Sequence, residues 1–168
     1  VLVLDLVVRR SKKDMLRISR LTDYATVVLA HLAVDPGRQY TATELAAETH
    51  IAAPTVSKVL KQLHRHELVT STRGLRGGYR LARPAAEITA ADILVALEGP
   101  LALTECARRP GRCSIEETCS TGRSWQRVSH AIRRALESVT LLELSGLDDQ
   151  HPRFAALERE LTTGRLSS

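Results

Sequence analysis

The sequence predicts a mainly α protein with one short antiparallel hairpin, and three observations carry that reading. Apolar residues recur at three- and four-residue intervals in five segments, and strict alternation is confined to LVTSTRG and GGYRLAR. Hydrophobic residues make up 43% of the 168, yet aromatic residues only 3%. Helical spacing gathers apolar side chains on one face, whereas period two marks a half-buried strand. Aliphatic helix packing should therefore dominate a core of one or two compact units.

LTDYATVVLAHLAVDPG places Leu21, Tyr24, Ala25, Val28, Leu29 and Leu32 at helical spacing, with Thr22 or Asp23 as N-cap and Pro36-Gly37 as the stop. TATELAAETHI offers Thr41 or Thr43 ahead of Glu44 as a capping signal and Leu45 and Ala46 for an inward face, a short second helix ending near His50. APTVSKVLKQLHRHEL has Pro54 in a first-turn position, Val56, Val59, Leu60 and Leu63 facing inward, and Ser57, Lys58, Lys61 and Arg65 facing out. Two helices across a tight turn, the second carrying cations outward, form a helix-turn-helix pattern. The two alternating runs flank the turn from Arg73 to Gly78, and a hairpin in that place is a wing. Gly77 and Gly78 would let a phosphate approach the backbone there, and Arg73 or Arg76 would reach into a minor groove. TAADILVALEGP forms a further short helix with Thr89 as cap and Gly99-Pro100 as its end. From about Arg123, Trp125, Val128, Ile132, Leu136 and Val139 make one stripe on a long helix. Such a stripe zips to a second subunit or packs within its own chain. Beyond Gly146 a loosely held polar tail is expected.

Charge supports this layout. Met15 to Arg83 holds ten Lys and Arg against five Asp and Glu, while Pro84 to Ser168 holds ten against twelve. Between Lys58 and Arg83, seven cations face only Glu67. A basic front half and a mildly acidic back half suit a DNA-binding module joined to a sensing or dimerising one. The opening VLVLDLVV is too short to span a bilayer, and its basic residues Arg9, Arg10, Lys12 and Lys13 follow the apolar run, the reverse of a secretory leader. Met15 is the sole methionine and the first amphipathic pattern starts there. Residues 1–14 are thus expected to be a non-native or disordered extension, the competing reading being a basic arm on DNA phosphates. The expected organisation is 15–83 winged helix-turn-helix, 84–122 linking helix and cysteine loop, 123–145 dimerisation helix, and 146–168 tail.

Cys106, Cys113 and Cys119 are the chain's three cysteines, all within LTECARRPGRCSIEETCSTG. Three thiols in one polar loop point to a soft-metal centre. Their C-x6-C-x5-C spacing lacks the close pairs of a structural zinc site, and an irregular loop of thiolates suits an iron-sulfur cluster. Arg108, Arg109 and Arg112 would lower the thiol pKa values, whereas Glu105 and Glu116 act the other way. A dithiol switch without metal stays open. So does the fourth ligand, with Glu105, His130, solvent or a partner subunit as candidates.

The start MLRISRLTDYATVVLAHLA, the run APTVSKVLKQLHRHELVTSTRG, the wing GGYRLARPA, then ITAADILVALEGP, LTEC, the loop cysteines and a following Trp resemble the winged-helix iron-sulfur transcriptional regulators that include IscR and NsrR, the Rrf-two family. The resemblance runs from Met15 to about Leu144. LTDYA, TVSKVLK and EGPLALTEC make it most similar to the regulators of SUF iron-sulfur cluster assembly operons. It implies a homodimeric repressor on a pseudo-palindromic double-stranded DNA operator, with a 2Fe-2S or 4Fe-4S cluster setting transcription. Cys106, Cys113 and Cys119 match the family's cluster ligands. IscR adds a histidine three positions after its last cysteine, where this chain has Gly122; NsrR takes an aspartate from the other subunit's first helix, and Asp23 falls on that position. The implied set is Cys106, Cys113 and Cys119 with Asp23 of the partner subunit, although without the resemblance Asp23 reads equally well as a helix cap. Thr55, Ser57, Lys58 and Lys61 are expected at the major groove, Arg73 in the wing, and Arg65 or Arg76 at phosphates. IscR has Glu and Gln where this chain has Ser57 and Lys58, so its operator does not transfer.

A thiol-redox or zinc-responsive winged-helix repressor without a cluster is the competing function. An enzyme is disfavoured, because there is no C-x2-C pair, no Gly-rich loop after a strand, and no Ser-His-Asp or paired-carboxylate arrangement. Reduced thiols and no membrane segment lead to the expectation of a cytoplasmic protein.

Overall fold

One face from each of several short helices builds the core, and the hairpin closes it. The computed structural model describes residues 18–74, 77–101, 119 and 121–147. The expectations for residues 1–14, for Cys106, Cys113 and Arg76, and for the tail from 148 lie outside the described residues.

Helix α1 spans Arg20–Val34 and buries Ala25, Val28, Leu29 and Leu32 along the predicted face. Its cap differs from the sequence reading. Ser19 is the N-cap, its hydroxyl accepting the Thr22 N–H at 3.3 Å, while Thr22 is buried in the first turn and Asp23 stands exposed beside it. Helix α2, Ala42–Thr49, starts at a capping box in which Thr41 and Glu44 satisfy each other's backbone N–H groups, and it inserts Leu45 into the core. His50 turns the chain out of α2 in the left-handed region at φ 57°. Helix α3, Ala53–Arg65, has no side-chain cap; Pro54 in its first turn loses no helical hydrogen bond there. Val56, Val59, Leu60 and Leu63 are all fully buried, as the spacing predicts. Burial of each is worth about 1.5–3 kcal/mol relative to exposure, which holds α3 in one rotational setting.

Strands β1 (Val69–Thr72) and β2 (Gly78–Leu81) pair antiparallel, with Val69 opposite Leu81 and Thr72 opposite Gly78. The wing does not stand alone. Tyr40 and Tyr79 exchange backbone hydrogen bonds of 3.0 and 2.7 Å, so the residue leading into α2 bridges to the hairpin. This bridge accounts for Gly78, and the hairpin's own backbone for Gly77. A Cβ on Gly78 would lie 2.8 Å from the Tyr40 carbonyl oxygen, and one on Gly77 would lie 2.2 Å from that of Thr72. Their missing side chains make room for protein backbone, where the sequence reading had assigned that room to a phosphate. Gly78→Ala is expected to lower the unfolding free energy by about 1–3 kcal/mol through this overlap. A denaturant melt equal to that of the unsubstituted protein would show that the bridge yields freely.

After a 3-10 turn at Ala85–Glu87, helix α4 (Ala90–Glu98) begins at a second capping box, Thr89 with Asp92. Helix α5 spans Gly122–Glu137 and packs on α4, with Ser129 its buried residue. The predicted continuous helix to 145 is broken. Val139 lies past the end of α5, and its carbonyl accepts the Ala90 N–H at 2.8 Å. A one-turn helix α6, Leu141–Leu144, follows behind its own cap at Thr140. Leu141 is fully buried and donates its N–H to the Ile88 carbonyl at 2.7 Å, so the chain returns to the core after α5.

Candidate nucleic-acid interface

Because α3 is held by four buried aliphatic residues on one side, its other side is fixed in direction. Ser57, Lys58, Lys61 and Arg65 are exposed there, with Thr55 half-buried at the start of the helix. The four residues that the spacing predicts to face outward, Ser57, Lys58, Lys61 and Arg65, are therefore exposed. Arg73 is exposed at the end of β1. Among the described residues none of Lys58, Lys61, Arg65 and Arg73 forms an ion pair. Two other cations of the same half are engaged. Arg38 reaches Glu44 and Glu48 at 3.3 Å each and stacks over the Tyr40 ring at 4.2 Å. Arg83 binds Asp92 at 2.8 Å and the Glu87 carbonyl at 3.1 Å. Partial burial pushes the Asp92 carboxyl up, but the Thr89 backbone and hydroxyl together with Arg83 outweigh it and hold the carboxyl below its ordinary range. Among the described residues, unpaired charge is therefore concentrated on α3 and the hairpin, where a polyanion gains most from it. His64 is occupied structurally, its Nδ1 lying 3.1 Å from the Val69 carbonyl oxygen.

The second candidate site is only partly within the described residues. Cys119 lies just ahead of α5, with the Thr121 hydroxyl 3.5 Å from its sulfur. That hydroxyl, and then the backbone N–H groups of Thr121 and Gly122, hold the Cys119 thiol below its ordinary range. A side chain at position 122 would begin 3.7 Å from this sulfur, so glycine leaves an adjoining position without a donor. Asp23 is exposed on the first turn of α1, and no hydrogen bond or ion pair engages its carboxylate among the described residues. No group of three His, Cys, Asp or Glu converges among those residues either. On α5, Trp125 and Val128 are 48% and 42% exposed, while Ile132 and Leu136 are half-buried. The stripe is thus half-covered within the described residues, with Trp125 and Val128 its exposed end. No helix among the described residues is long and apolar enough to cross a membrane.

The sequence reading missed Glu98. This carboxylate, at the last residue of α4, accepts the Ser19 N–H at 3.1 Å and the Thr22 hydroxyl. No local pattern could have shown it, since the partners lie more than seventy residues upstream.

Comparison with known proteins gives one consistent result. The family model described as Rrf2, iron-dependent transcriptional regulator, matches residues 18–146. A Mycobacterium tuberculosis protein named as an HTH-type transcriptional regulator, Rv1287, is 32% identical over 132 residues, covering 78% of this chain and 82% of that one. Among solved structures, CymR, the global cysteine regulator of B. subtilis, superposes with a TM-score of 0.61 at 28% identity, covering 79% of this chain and 98% of that one. IscR of T. potens superposes with a TM-score of 0.57 at 26% identity, covering 83% and 91%.

Proposed function

The chain belongs to the Rrf2 family of iron-dependent transcriptional regulators, and on that premise we propose that it is a homodimeric repressor whose iron-sulfur cluster sets transcription of SUF-type cluster assembly genes. The observation that carries the DNA-binding part is the cationic face of α3, unpaired among the described residues and locked outward by Val56, Val59, Leu60 and Leu63. Thr55, Ser57, Lys58 and Lys61 face the major groove of a pseudo-palindromic operator, and Arg65, Arg73 and Arg76 meet phosphates or the minor groove. Residues 15–83 form the reading unit, residues 84–122 the sensing unit, and the stripe Trp125, Val128, Ile132, Leu136 and Val139 the dimer surface.

Cys106, Cys113 and Cys119 with Asp23 of the partner subunit hold the cluster. The donors among the described residues fit it. Cys119 is a thiol already pulled toward thiolate, Asp23 has an exposed carboxylate, and Gly122 removes the donor that IscR has at that position. Bound, the cluster supplies a thiolate-held iron centre that iron supply and oxidation can fill or empty. Carboxylate is the weaker ligand for such a centre, which suits a labile site. Asp23→Ala is expected to leave a dimer whose visible absorption is shifted or lost. An unaltered spectrum would remove Asp23 from the ligand set.

A second reading, a thiol switch without a cluster, is favoured by the lowered Cys119 thiol and by the likeness to a cysteine regulator. Anaerobic purification separates the two. A brown protein with stoichiometric iron and sulfide, whose operator affinity changes when the cluster is removed, supports the first; a colourless protein that answers to oxidant supports the second.

A further inference from the structure

The N-terminus of α1 is tied to the end of α4 by a single carboxylate. Glu98 Oε1 accepts both the Ser19 N–H, at 3.1 Å, and the hydroxyl of Thr22, which is only 2% exposed. Ser19 in turn caps the helix through its hydroxyl, and its carbonyl accepts the Asp23 N–H at 3.1 Å. Ser19 thus bonds to Glu98 through its N–H and to the Asp23 N–H through its carbonyl. Glu98 also ends α4, and the chain turns at once through Gly99, at φ 90°, into the segment leading to Cys106. One residue therefore stands between the two polypeptide segments that supply the proposed cluster ligands.

Electrostatics reinforce the tie. A carboxylate beside a helix N-terminus meets the positive end of the helix dipole and donors that have no partner within the helix. Hydrogen bonds from Ser19, and then from Thr22, hold the Glu98 carboxyl below its ordinary range. The buried Thr22 hydroxyl also lies 3.2 Å from that of Ser19, so Glu98 and Ser19 share it.

We propose that Glu98 is a positioning residue for the cluster site, fixing the first turn of α1, and with it Asp23, against the end of α4. This rests on the reading of Asp23 as a cluster ligand.

The test uses the full-length dimer, with Glu98→Ala, Glu98→Gln, Asp23→Ala and the double variant Glu98→Ala/Asp23→Ala. In the cluster-free protein, amide exchange at Asp23 should quicken by roughly threefold to tenfold in Glu98→Ala. Glu98→Gln keeps an amide oxygen as acceptor and should restore most of the protection. In the anaerobically reconstituted protein, Glu98→Ala should shift the visible circular dichroism in the direction seen for Asp23→Ala, and the double variant should add nothing to Asp23→Ala. Unchanged exchange in Glu98→Ala overturns the inference. So does faster exchange with an unaltered cluster spectrum where Asp23→Ala alters it. A silent Asp23→Ala spectrum instead overturns the ligand reading, and the inference falls with it.

Discussion

Replacing Lys58 and Lys61 together by Ala is expected to weaken operator binding by roughly 2–4 kcal/mol, about thirtyfold to a thousandfold, when both side chains meet DNA. Both are exposed, and among the described residues neither is engaged in an ion pair that its removal would orphan. The helix beneath them is held by Val56, Val59, Leu60 and Leu63 and has no need of either charge. The melting curve should therefore move little, as for other exposed positions without buried partners. Salt dependence then identifies what each lysine meets. Removing a cation that neutralises one phosphate lowers the slope of log K against log salt by about 0.9, so removing two lowers it by about 1.8. A lysine on a base edge changes the slope less and relaxes the choice of base at one position of each half-site. Binding measured at two salt concentrations, on the operator and on unrelated DNA, distinguishes these cases. Unchanged affinity at both concentrations would show that the outward face of α3 is not the reading face.

How much of this was legible in the sequence depends on how local each determinant is. The faces of α1 and α3 follow from spacing alone, because burial repeats with the helix period, and the residues predicted to face inward on α3 are fully buried. The box Thr41 to Glu44 was also legible, since both partners lie within one turn. The cap of α1 was not. Ser19 lacks an acidic residue three positions on, and a nearer Thr22-Asp23 pair gave a stronger local signal. Single pairings across long separations left no trace either: Tyr40 with Tyr79, Ile88 with Leu141, and Glu98 with Ser19. None of them has a period. For the candidate site, the excess of cations between Lys58 and Arg83 was visible, but not which of them were free. Arg83 is neutralised by Asp92 of α4, and only the folded arrangement reveals that it is withdrawn from any ligand while Lys58 and Lys61 are not.

Leu60→Ala is expected to cost about 2–5 kcal/mol of stability, a large part of the roughly 5–15 kcal/mol that holds a domain of this kind together. Leu60 is fully buried in the cluster that α1, α3 and α4 share with Leu45, Leu68 and Ile88. Those neighbours are anchored by other elements, so they can collapse only partly into the space left behind. The next residue in the chain, Lys61, is exposed. The pair therefore separates two quantities that a single loss-of-binding result confuses. Leu60→Ala should lower the denaturation midpoint by several degrees while the fraction that remains folded binds the operator nearly as before. Lys61→Ala should do the reverse. An intact melting curve for Leu60→Ala would mean that α3 is not packed through this face, and the outward setting of Lys58 and Lys61 would lose its cause. A lowered melt with per-dimer affinity kept would establish that the inward residues act on DNA binding through the fold, by holding the cationic face in the one direction from which it can be presented.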